Sequence, residues 1–110
     1  MTWKRTELSA GAVLPGTMQE TVVDGSVVLV ARVGPLVFAV DSVCPHLGGI
    51  LSEGTLAGRR LTCPNHGSVF DVETGAVIAD PFGVVPPEGG VSPLTIYPTR
   101  IVDGMVEVDL

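Results

Sequence analysis

Residues 18–40, Met-Gln-Glu-Thr-Val-Val-Asp-Gly-Ser-Val-Val-Leu-Val-Ala-Arg-Val-Gly-Pro-Leu-Val-Phe-Ala-Val, read as three strands and two turns. Met18 to Val23, Val27 to Val33 and Leu36 to Val40 are rich in Val, Leu, Thr and Phe, whose branched or flat side chains suit a pleated, half-buried surface. Asp24-Gly25-Ser26 and Gly34-Pro35 separate them, and both are hairpin-turn sequences. The stretch is therefore a β-meander.

Working outward, Leu94 to Ile101 and Met105 to Leu110 flank Asp103-Gly104, and Val106 and Val108 alternate with Glu107 and Asp109. This predicts a final hairpin with one buried face. No apolar 3.6-residue period persists beyond about two turns, and 14 Gly with 9 Pro would interrupt a long helix. The expected fold is all-β, one domain over residues 1–110. Phe82 to Ser92, with Pro86-Pro87 and Gly89-Gly90, reads as a loop without structure of its own.

The stretch from about 43 to 81 differs in character, because it carries every Cys and His of the chain on Gly- and Pro-rich segments. It reads as a loop-built site inserted into the β scaffold. Its two key segments are Cys44-Pro45-His46-Leu47-Gly48-Gly49 and Cys63-Pro64-Asn65-His66-Gly67-Ser68, with sixteen residues between His46 and Cys63. Each offers one thiolate and one imidazole.

Several chemistries use such residues. A lone buried Cys is ordinarily a small hydrophobe, but two matched Cys-His pairs are poorly described that way. A Cys44–Cys63 disulfide suits a secreted chain, and nothing marks this one as secreted. A nucleophilic Cys-His dyad leaves the second pair unexplained. Tetrahedral zinc accepts two Cys and two His, but its usual spacing keeps Cys with Cys and His with His. The mixed C-x-H and C-x-x-H arrangement suits a two-iron cluster in which one iron takes both thiolates and the other both imidazoles. A zinc-stabilised interaction module stays open as the alternative of another class.

The segments CPHLGG and CPNHGSVFDVETG resemble the two cluster-binding boxes of Rieske proteins, and the similarity continues through Leu94 to Leu110. The resemblance implies an antiparallel β-sandwich of three sheets, with two loops clasping one [2Fe-2S] cluster at its tip. It implies Cys44 and Cys63 on the inner iron and His46 and His66 on the outer iron, with their rings near the surface. Chain length and final hairpin resemble the ferredoxin components of bacterial aromatic-ring-hydroxylating dioxygenases. The implied role is a one-electron carrier, not a catalyst, between a flavin-dependent reductase and a terminal oxygenase. A small Rieske subunit of another oxidoreductase, nitrite-reductase-like, is the alternative.

Around the ligands, Ser68 occupies the family position whose hydroxyl donates to a bridging sulfide, whereas Phe70 replaces a tyrosine donor and is expected to pack in the core. Gly48, Gly49 and Gly67 are expected to allow close backbone approach and positive φ, and Pro45 and Pro64 to stiffen the segments. Pro81 resembles the start of a third, covering loop, with about seven extra residues before Pro93-Leu94. Two ferric ions and two sulfides, balanced by two thiolates, leave a neutral oxidised site. Its potential is expected in the lower half of the roughly −150 to +300 mV range of such centres.

Composition bounds the partners. A net charge of −6 disfavours nucleic acid, whose binding depends on Lys and Arg neutralising phosphates. An acidic face can steer a basic protein partner. No apolar stretch approaches the roughly 20 residues of a membrane span, and no secretory pattern opens the chain. A cytoplasmic monomer is expected.

Overall fold

A computed structural model describes residues 2–45, 48–65, 67–79 and 92–110. The meander forms as read: β2 (Met18–Val23), β3 (Ser26–Val33) and β4 (Leu36–Asp41) pair antiparallel in sequence. Val23 faces Ser26 across the Asp24-Gly25 turn, where Asp24 has φ of 53°. That is the left-handed, two-residue turn whose twist matches flanking strands.

Strand β3 explains the layering. Leu29 and Ala31 join Val40 of β4 in one buried cluster, while Val30 joins Val37 and Ala39 in another. Successive residues of a strand face opposite sides, so the central sheet, in order β2-β3-β4-β9 with β9 at Ile96–Tyr97, is covered on both faces. The uninterrupted run Val28 to Ala31 is apolar for that reason.

One cover is a three-stranded sheet, β1 (Trp3–Ser9), β11 (Met105–Asp109) and β10 (Thr99–Val102), in the order β1-β11-β10. It contributes Leu8, Val106 and Val108 to the second cluster. The other cover is four short strands, β5 (Thr55–Ala57), β6 (Arg60–Thr62), β7 (Val69–Asp71) and β8 (Val77–Ala79), paired in sequence. The stretch that holds both cysteines is thus a small sheet with loops at its end. Single 3-10 turns at Ala10–Ala12 and Leu51–Glu53 complete the described elements. Among the described residues, no helix is long and apolar enough to cross a membrane.

Three features depart from the sequence reading. Leu94 to Ile101 is not one strand: β9 (Ile96–Tyr97) pairs with β4, and β10, after Pro98, pairs with β11. Pro98 has no N–H for a ladder, and its carbonyl instead accepts the Asp109 N–H at 3.0 Å. The chain changes sheets there. Strand β1 was hidden by its charges, but Arg5 meets Glu107 at 3.3 Å, Glu107 meets Arg100 at 2.8 Å, and the Arg100 guanidinium lies 4.3 Å from the Trp3 ring centre. Glu107, expected on a solvent face, is 8% exposed between those arginines.

Candidate metal centre

Both cysteines leave the ends of strands. The chain runs from β4 into Cys44 and from β6 into Cys63, and the two thiols lie 2% and 3% exposed in the same buried cluster as Leu51, Leu61, Phe70 and Leu94. They are not joined by a disulfide. Phe70, fully buried there, packs in the core as its sequence position suggested.

The two loops share one backbone frame. In the first, Cys44 N–H donates to the Gly49 carbonyl at 2.7 Å and Gly48 N–H to the Cys44 carbonyl at 3.2 Å. In the second, Cys63 N–H donates to the Ser68 carbonyl at 2.8 Å and Gly67 N–H to the Cys63 carbonyl at 3.2 Å. Gly48 and Gly67 have φ of 71° and 80°, which a side chain would strain. Below each loop a cross-strand pair closes the frame, Val43 with Ile50 and Thr62 with Val69. Aligned on the cysteines, Gly48 matches Gly67 and Gly49 matches Ser68. The sequence difference between C-x-H and C-x-x-H is a one-position offset within matched frames.

The loops also meet. A Cβ on Gly49 would lie 2.7 Å from Cys63 Sγ and 3.1 Å from Asn65 Nδ2. Gly49 therefore serves close approach, and positive φ belongs to Gly48 and Gly67. Ser68 Oγ, on a residue 1% exposed, has no hydrogen-bond partner within the protein. A buried hydroxyl without an acceptor is costly, and an acceptor supplied from outside the chain would relieve that cost. A bare Gly49 edge, a buried thiol facing it and an unpaired hydroxyl fit a sulfide-bearing cluster.

His46, His66 and Pro81 lie outside the described residues, as do residues 82–91 of the Phe82 to Ser92 stretch. Among the described residues no group of three or more His, Cys, Asp or Glu converges. The sequence reading missed Gly75 and Leu94. A Cβ on Gly75 would lie 2.1 Å from the Leu94 carbonyl, and Leu94 N–H donates to the Gly75 carbonyl at 2.9 Å. This pins Leu94 beside the cysteines. The only signal was the turn sequence Glu73-Thr74-Gly75, which says nothing of a distant carbonyl.

Comparison with known proteins agrees with this geometry. Residues 4–97 match the model of the Rieske [2Fe-2S] domain. The chain is 36% identical over 83 residues to the anthranilate 1,2-dioxygenase ferredoxin subunit of Burkholderia cepacia, covering 76% of this chain and 69% of that one. A ferredoxin chain solved in complex with the oxygenase of carbazole 1,9a-dioxygenase superposes with a TM-score of 0.78 at 31% identity, covering 96% and 91% of the two chains. A Mycobacterium tuberculosis protein described as an NADH-dependent nitrite reductase small subunit gives 0.77 at 25% identity, covering 97% and 93%. With both cysteine boxes inside the matched region and the three-sheet fold shared, the chain belongs to the Rieske [2Fe-2S] domain family, whose cofactor is a single Rieske cluster.

Proposed function

We propose that Cys44 and Cys63 bind one iron and His46 and His66 the other, and that the chain carries single electrons from a flavin-dependent reductase to the terminal oxygenase of an aromatic-ring dioxygenase system. The observation that carries the reading is the pair of matched loops with buried cysteines and an unpaired, buried Ser68 hydroxyl in the second loop. When bound, the cluster supplies one-electron redox chemistry at a site that is neutral when oxidised. The chain's own residues bury the thiols, keep the loop backbones rigid and, through Ser68, donate toward sulfide. Gly48 and Gly67 set the loop turns, and Pro81 begins the segment we assign to covering the site.

The relatives support this direction and leave the organic substrate open, since anthranilate and carbazole systems use similar carriers. The likeness to the nitrite reductase small subunit favours a second reading, a permanently bound subunit. We place the carrier in the cytoplasm as a monomer. The test is purification followed by reduction. A coloured protein with two irons and two sulfides, monomeric and able to pass electrons to a terminal oxygenase, is the expected result. An obligate complex would favour the subunit reading, and a colourless zinc protein would reject both. Cys44→Ser and Cys63→Ser are expected to lose the cluster.

A further inference from the structure

Four of the exposed apolar side chains form a series. Val22, Val27, Val43 and Ile50 are 62%, 44%, 51% and 50% exposed. Val22 and Val27 are directly opposed across β2 and β3, so their side chains leave the same face. Val27 and Val43 line one shallow groove with Asp41, Ser42 and Tyr97. Val43 and Ile50 close the bridge below the first cysteine loop, and Val43 Cγ1 lies 3.9 Å from where a Gly48 Cβ would stand. One end of the strip touches the metal-binding loop, and the other stops at the Lys4–Asp24 ion pair of the β2–β3 turn.

The loops and the loop end of the strip are uncharged, whereas at the far end Val22 and Val27 also border Glu7 and Glu20 in a second shallow groove. Residues 42–52 and 61–70 contain no Asp, Glu, Lys or Arg, although the chain carries a net charge of −6. The one carboxylate on the groove, Asp41, accepts the Tyr97 hydroxyl at 2.5 Å. A second exposed apolar pair, Leu36 and Ile101, lines a different groove beside Arg100. Leu36 starts β4 and Asp41 ends it, which places that pair roughly 17 Å from the loops.

We infer that the strip Val22-Val27-Val43-Ile50 is the docking face for the terminal oxygenase, which meets it with an apolar surface. The inference rests on the carrier reading. A protein taking electrons from the cysteine loops must seat on their collar, hence on Val43 and Ile50. A transient redox encounter buries up to about 600 Å² per partner, more than two loop tips offer. The strip is the contiguous apolar extension of that footprint. A second copy of the chain seated there would cover the same loops and block delivery. Association through such a face depends little on salt, unlike steering between charged faces.

The test measures reduction of terminal oxygenases from the carbazole, anthranilate and naphthalene dioxygenase systems by the reduced, cluster-loaded chain. Val22→Lys and Val27→Lys are each expected to raise the half-saturating concentration about fivefold, with midpoint potential and electron paramagnetic resonance spectrum unchanged. The Val22→Thr/Val27→Thr double variant, which keeps β-branched shape, guards against misfolding and is expected to weaken docking in the same direction. Wild-type transfer should vary less than about twofold between low and high salt. Unchanged half-saturation in all three variants, or steep salt dependence of the wild type, would overturn the proposal. So would a wild-type dimer in sedimentation that the lysine variants dissolve, since the strip would then be a self-contact. A redox-active wild type that reduces none of the three oxygenases would instead reject the carrier reading beneath it.

Discussion

Ser68 and Gly49 occupy the same place in their two loops and do opposite things with it. The Ser68 hydroxyl is buried without a protein acceptor, whereas Gly49 leaves space against Cys63 Sγ. If the Ser68 hydrogen bond strengthens by about 1.5 kcal/mol when the acceptor gains charge, Ser68→Ala lowers a one-electron potential by on the order of 50 to 100 mV. Redox titration of the loaded protein checks this, and an unmoved midpoint removes Ser68 from the tuning role. Gly49→Ala puts a methyl 2.7 Å from Cys63 Sγ, so it is expected to reduce the fraction of protein that retains visible cluster absorbance. At this scale the sequence was informative where chemistry is carried by residue type. The cysteines, the serine and the φ-positive glycines could be picked out from the boxes, while Gly75 could not, because its reason is a carbonyl nineteen positions away.

Among elements, β9 is the joint. Its two residues tie the chain that returns past Leu94 to β4, and the Tyr97 hydroxyl donates to Asp41 Oδ1 at 2.5 Å. Partial burial, then the Asp41 hydrogen bond and charge, push the Tyr97 hydroxyl up to about 12. Tyr97 is the only tyrosine, so an alkaline ultraviolet titration reads it alone. The expected midpoint lies near 12, and one near the ordinary value of about 10 would show the joint open in solution. The native state holds this proton more tightly than the unfolded chain. Its stabilisation is therefore complete below about pH 10 and is lost as pH rises toward the folded value. The meander was readable because turn chemistry and strand composition agree locally. The sheet change at Pro98 was not, because an apolar run with one proline does not say which partner each half takes. The short strands β5 to β8 were obscured by the turns between them.

Across the whole molecule, charge and cores are kept apart. Glu107 is held below the usual carboxylate range, first by its hydrogen bond from Arg100 and further by Arg5, against the opposing effect of burial. A depressed folded value means the unfolded chain binds more protons below the ordinary glutamate range. The stabilisation is present above about pH 4.3 and fades as pH falls through the folded value. Glu107→Gln is expected to melt at a lower temperature than wild type near neutrality, with the gap closing in acid. A constant gap would mean lost packing instead. The two cores also differ in what they need. The cluster uniting Val30, Val37, Ala39, Leu8, Val106 and Val108 contains neither cysteine, while the one across the central sheet contains both. Cluster-free protein should therefore keep slow hydrogen exchange through β3, β4 and β11, and lose protection first around Cys44 and Cys63. An order of maturation follows: once β11 is in place, the half without the cysteines can close first, leaving two shaped but open loops to be filled afterwards.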